Sequence, residues 1–207
     1  LAQLDKLPKN QFRRTVDLKF DVPKIIASEK PAILVSIDGE PEVHNIAGTK
    51  LMQVVNTPED IFFDADSTRY LLRDDSCWYQ SKDLVKGPWT MLNVLPAEFA
   101  NLPKVERFES AFLSREQQCD LTDPPEVFVE KDEAVLITSE GKLNYVPIAG
   151  TEILYADNTD SDVFMYKSEV WVALSGRWFR SPTFGPWKAS PKGPPEEFAK
   201  IPALNAG

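Results

Sequence analysis

Histidine is nearly missing from this chain, with His44 the only one. One imidazole is poor material for a Ser-His or Cys-His arrangement, and no Ser or Cys stands in a nucleophile motif. His44 therefore reads as a surface or strand residue, and no catalytic residue is assigned. Basic residues are also in short supply: 23 Lys and Arg against 32 Asp and Glu give a net charge of −9. A phosphate backbone needs clustered cations, which excludes nucleic acid as a partner. Long apolar runs are absent, nothing approaching the ~20 residues that cross a bilayer, so no membrane span is expected. The opening L-A-Q-L-D-K-L-P does not read as a signal peptide, which leaves a mature or trimmed start, or a cytoplasmic chain.

Cysteine is scarce too. Cys77 and Cys119 lack the spacing of a metal site and are too few for a disulfide framework. Two free, partly buried thiols are the expectation; the alternative is one bridge tying the first half of the chain to its middle. Glycine is outnumbered, nine against 17 prolines, which points to short connections of fixed φ instead of floppy linkers. Acidic residues are plentiful, but no spacing selects a glycosidase pair from them. Asp157-Asn158-Thr159-Asp160-Ser161-Asp162 sets oxygen ligands at alternate positions, yet lacks the glycine and distal glutamate of an EF-hand. Its Asn, Thr and Asp residues read better as side-chain-to-backbone turn formers. No metal and no cofactor is expected.

What the chain does have is an internal copy. Pro23–Phe62 lies over Pro125–Phe164 without a gap, sharing Ile-Ala-Gly-Thr at 46–49 and 148–151 and Asn-Thr at 56–57 and 158–159. After small deletions Trp78-Tyr79 matches Trp178-Phe179, Gly87-Pro88-Trp89 matches Gly185-Pro186-Trp187, and Glu98-Phe99-Ala100 matches Glu197-Phe198-Ala199. A fixed order of such blocks marks a tandem duplication.

The fold class that follows is mainly β: two tandem antiparallel β-meander repeats joined by an amphipathic α-helix. Residues 1–22 form an N-terminal extension, with an alternating strand at Thr15–Val22. Residues 23–103 are repeat one, with strands near Lys24–Ala27, Ala32–Ile37 and Leu51–Val55, turns at Asp38-Gly39 and Gly48, and an aromatic meander from Ile61 to Trp89. Residues 104–124 are a helical linker whose apolar stripe is Val105, Phe108, Phe112 and Leu113. Residues 125–202 are repeat two, and 203–207 a disordered tail. In repeat two, Val170, Val172 and Leu174 face one way and Trp171, Ala173 and Ser175 the other, with a hairpin turn at Ser175-Gly176. The repeats are expected to pack together, because each alone leaves strand faces and edges open.

All five tryptophans lie in the two meanders. Flat exposed rings stack on sugars or anchor protein partners, whereas buried ones fill a small β core. The candidate ligand-binding residues are Trp78, Tyr79, Trp89, Trp171, Trp178, Phe179 and Trp187. Most of these are expected in the core, one or two per repeat outside it. Arg177/Phe179 and Trp178/Arg180 alternate, so one ring of that pair must point outward or into a repeat interface.

At L-S-G-R-W-F-R-S-P-x-x-G-P-W (174–187), N-T-D-S-D-V-F (158–164) and P-x-E-F-A-x-I-P (195–202), repeat two resembles a module of large bacterial envelope proteins labelled "carbohydrate-binding family V/XII". The likeness is strong over Pro125–Pro202, weaker over Pro23–Pro103 and absent from the first 14 residues. Repeat one departs at Arg73-Asp74-Asp75-Ser76-Cys77. Ser81 to Trp89 is also similar to blade strands of propeller-type glycan enzymes. The envelope resemblance implies a periplasmic or extracellular, non-catalytic, duplicated β module. Its expected role is interaction or scaffolding with a protein partner in an envelope assembly; the alternative is glycan binding through exposed aromatics.

Overall fold

A computed structural model describes residues 21–115, 117 and 119–202. The chain is mainly β, and its two repeats form two six-stranded antiparallel sheets. Each repeat opens with two strands that stay out of its own sheet: β1 (Lys24–Ser28) and β2 (Ala32–Ser36) in repeat one, β9 (Glu126–Glu130) and β10 (Ala134–Thr138) in repeat two. Sheet one then runs as a meander through β3 (Val43–Asn45), β4 (Leu51–Val54), β5 (Asp60–Asp64), β6 (Arg69–Asp74), β7 (Cys77–Ser81) and β8 (Thr90–Met91). Sheet two repeats it with β11 (Tyr145–Pro147), β12 (Leu154–Ala156), β13 (Asp162–Tyr166), β14 (Glu169–Leu174), β15 (Arg177–Ser181) and β16 (Lys188–Ala189). A 3-10 turn closes each repeat, at Ala97–Asn101 and Glu196–Lys200. Of the strand expected at Thr15–Val22, all but Asp21 and Val22 lies outside the described residues, as does the tail; those two residues are exposed and form no strand.

The opening strands pair across the duplication. β1 runs parallel to β10, with Lys24 opposite Ala134, and β2 runs parallel to β9, with Ala32 opposite Glu126. Lys24 and Glu126 are repeat equivalents, and so are Ala32 and Ala134. The two pairings are thus one arrangement, used twice about a pseudo-twofold. Backbone bonds just beyond each ladder obey the same relation: Lys24 N–H to Glu133 O and Glu126 N–H to Pro31 O, Ile37 N–H to Glu130 O and Ser139 N–H to Ser28 O. Parallel strands need a long connection between them. Here the connection from β2 to β9 is the rest of repeat one together with the helical linker.

Each mixed pair supplies the inner layer of one sheet. Ile33, Val35, Ile37, Val127 and Val129 pack on Val54, Ile61, Leu72 and Tyr79 of sheet one. Ile25, Val135 and Ile137 pack on Val163, Val172 and Phe179 of sheet two. β14 shows the expected alternation with both faces dry: Val170, Val172 and Leu174 join this inner core, while Trp171 joins the outer one. The Ser175-Gly176 hairpin has both residues at positive φ, 49° and 75°, as a two-residue type I′ turn requires.

The Asn-Thr pairs are the turn formers they were expected to be. Asn56 donates its amide to the Asp38 and Glu40 carbonyls at 2.8 Å and accepts the Glu42 N–H at 2.8 Å. Asn158 does the same with Glu140, Lys142 and Asn144, at 3.0, 2.9 and 2.8 Å. Thr57 and Thr159 donate to the Ser36 and Thr138 carbonyls. Asp60 departs from this role, because its carboxylate pairs with the Arg73 guanidinium across the hairpin at 2.7 Å.

Two expectations about the linker need correction. The cysteines are not free: Cys77 and Cys119, 42 residues apart, form a disulfide. The helix, α1 (Glu106–Ser114), buries Phe108, Ala111 and Ser114, while Val105 and Leu113 are 52% and 56% exposed. The buried line is turned by about one position because the small Ala111 and Ser114 let the helix lie close on sheet one. Phe112 is left half-buried at the side, between Lys104 and Arg115.

Because either sheet loses one of the two strands of its inner layer without the other repeat, unfolding should be one event. Urea denaturation followed by tryptophan fluorescence and by far-ultraviolet circular dichroism should give coincident transitions. Two separated transitions would show that the repeats are independent. Reduction of the bridge should cost about 2–4 kcal/mol, from the loop entropy returned to the unfolded chain, and lower the urea midpoint accordingly.

Candidate functional site

The outer faces of the two sheets are built alike and covered differently. On sheet one, Ile46, Phe62, Trp78, Phe99 and Leu102 form a fully buried cluster with Phe108 and Ala111 of α1. Phe99 meets Phe62 and Trp78 edge-on, with centroids 5.1 and 5.0 Å away. The Trp78 indole N–H donates to the Ser114 hydroxyl at 3.2 Å, which donates in turn to the Ala111 carbonyl. The disulfide ties the chain beyond α1 to β7, one residue before Trp78. Hydrogen bond and bridge together hold the helix on its face.

The counterparts on sheet two are Ile148, Phe164, Trp178, Phe198 and Ile201. Phe198 is the hub, edge-on to Phe164, Tyr166 and Trp178 at 5.5, 5.9 and 5.4 Å. Among the described residues no helix lies over them. Ile148, Phe164, Trp178 and Ile201 are consequently only partly buried, whereas their equivalents in repeat one are closed off. A groove results. One hollow of about 450 Å³ lies over Phe164, Ala173, Trp178, Phe198 and Ile201. A second of about 430 Å³ shares Asp162, Phe164 and Ile201 with it and continues to Ile148 and Tyr155.

The rim of this groove is acidic. Asp157, Asp160, Asp162 and Glu196 line it, where repeat one has Val55, Pro58, Asp60 and Ala97. Asp162 sits across from Ala173, not across from an arginine as Asp60 does, and makes no ion pair among the described residues. Replacing Arg73 by Ala173 therefore both widens the hollow and leaves a carboxylate without a counter-charge. Neighbouring Glu197 is bound by the Lys200 ammonium at 2.7 Å, a hydrogen bond that holds its carboxyl below the usual range. Glu197 also accepts the Glu152 N–H, as Glu98 accepts that of Lys50, which explains the repeated Glu-Phe-Ala: the glutamate pins a turn while the phenylalanine plugs the face.

Comparison with family models, curated proteins and solved structures finds no match to this chain.

The seven aromatic candidates do not converge. Trp78, Tyr79, Trp171 and Phe179 are at most 5% exposed and serve as core. Trp89 and Trp187 are partly buried against the inner clusters, Trp187 edge-on to Phe184 at 5.0 Å. Trp178 alone is partly buried on an outer face, while Phe179 points inward, which is the split that strand alternation required. Tyr79 buries its hydroxyl without a protein partner, and Phe179 fills the same place without one. Sequence reasoning missed the groove itself. Its signal was the substitution of acids for Val55, Pro58 and Ala97 at aligned positions.

Trp78→Ala should cost about 3–5 kcal/mol of stability, the range for a fully buried large ring. Trp178→Ala should cost less, about 1–2 kcal/mol, because that ring is only partly buried. Paired urea melts would decide; equal losses would make Trp178 a core residue and remove it from the site.

Proposed function

We propose that the chain is a non-catalytic interaction module of a bacterial envelope assembly, docking a protein partner on the acid-rimmed face of sheet two. The observation that carries this is the asymmetry between equivalent faces: the same aromatic cluster is closed by α1 in repeat one and open in repeat two. An apolar floor within a polar rim is the usual make-up of a protein interface. A partly buried tryptophan at its centre is a natural anchor.

Other features support the reading without carrying it. The disulfide suits an oxidising compartment such as the periplasm or cell surface. The envelope-module resemblance of Pro125–Pro202 points the same way. His44 stands exposed on the edge strand β3, opposite Gln53, away from the groove residues. The glycan alternative needs two or three coplanar exposed rings, and the half-buried tryptophans lie on different faces of the sheets.

Titration of the native protein with peptidoglycan fragments and chito-oligosaccharides should leave tryptophan fluorescence unchanged. A saturable change that disappears in Trp178→Ala or Trp187→Ala would replace the docking role by glycan binding.

A further inference from the structure

We infer that the occupant of the groove is a basic amphipathic helix from another protein, seated as α1 is seated on sheet one. The inference rests on the groove being a docking face and names what docks there. The protein displays half of the answer itself. α1 shows what this arrangement of rings accepts: a phenylalanine over Phe62 at 6.3 Å, an alanine one turn on that lets the backbone approach, and a serine that takes the indole N–H. Phe164, Trp178, Phe198 and Ile201 offer the same floor. An apolar stripe at helical spacing laid into such a groove is a recurring mode of recognition.

Charge supplies the other half. α1 carries Glu106, Arg107 and Glu109, and the corresponding rim of sheet one is Val55, Pro58 and Ala97, with Asp60 neutralised by Arg73. Sheet two sets Asp157, Asp160, Asp162 and Glu196 around the same floor. A helix with the glutamates of α1 would bring like charges together there, whereas one with Lys or Arg in place of Glu106 and Glu109 would be drawn in. This argues against α1 of a second copy, which is moreover held on its own sheet by Ser114 and the disulfide. The partner's helix is thus expected to pair a large apolar residue with a small one at i+3 and to carry cations where α1 has Glu106 and Glu109.

The test uses the full chain and two synthetic peptides of residues 104–115. One has the native sequence and the other carries Glu106→Lys and Glu109→Lys. The indole N–H resonance of Trp178, assigned with Trp178→Phe, is the readout. The recharged peptide should shift it with a Kd in the micromolar range, at least about tenfold tighter than the native peptide, and the advantage should shrink as salt is raised. The double substitution Asp160→Lys and Glu196→Lys should reverse the preference, which a purely structural effect would not do. Equal affinity for both peptides, or no shift with either, would overturn the proposal. So would a Trp178 resonance that moves when residues 1–20 are removed, since the occupant would then belong to this chain. Silence from both peptides together with silence from glycans removes the helix and leaves the docking role standing. A glycan response removes both.

Discussion

The structure depends on an exchange of strands between its halves. β1 and β2 are separated only by Glu29, Lys30 and Pro31, so a local hairpin would be the simplest outcome. Each instead joins a strand of the other repeat, and each resulting pair lays its apolar residues on a different sheet. A six-stranded meander with one uncovered face would expose a row of Ile, Leu and Tyr to water, at roughly 25 cal/mol for each Å². Neither repeat can fully cover its own sheet, because only β2 (or β10) stays with it while β1 (or β9) lies on the opposite one. Charges at the seam follow the exchange: Lys24 pairs with Glu130, and Lys131 with Glu40 at 2.6 Å, although such exposed pairs add little stability.

A duplicated unit locked in this way begins with two equivalent outer faces. Local chemistry has made them different. Cys77 in repeat one, where repeat two has Arg177, anchors the linker beside β7; Arg177 instead turns to Glu133. Arg73 neutralises Asp60, where Ala173 leaves Asp162 without an ion pair among the described residues. Ser114 satisfies the Trp78 indole. These differences all act in one direction, sealing sheet one and leaving sheet two open with a negative border. Sheet one behaves as structure, and sheet two can present the same rings to something else.

Much of this could be read from residues alone, and the reasons are physical. Period-two alternation in β14, the Ser175-Gly176 turn and the Asn56 and Asn158 amides act over a few residues, so local pattern suffices to place them. The parallel exchange was not legible, because the apolar run Ala32–Val35 reads the same whether the strand pairs with its neighbour or with residues 126–130. The bridge was not legible either, since two cysteines separated by a helix carry no geometric mark until the helix is docked. The helix face was misplaced for a related reason. Counting large apolar residues selected Val105, Phe112 and Leu113, but close packing on a flat aromatic sheet favours the small Ala111 and Ser114.

The aromatics show why composition was a poor guide to a site here. A ring's availability is set by what covers it, and in this chain equivalent rings have different covers. Trp78 and Trp178 share strand position, neighbours and a central phenylalanine, yet one is buried and the other only partly so. The difference lies in nine helical residues and one bridge, whose far end, Cys119, stands 42 residues beyond the aromatic motif's Cys77. Duplication therefore does more than double the surface. One copy records, in its own helix, the shape and spacing that the other copy's partly buried floor still has available, and the acids that distinguish the second rim set the sign of charge that would complement it.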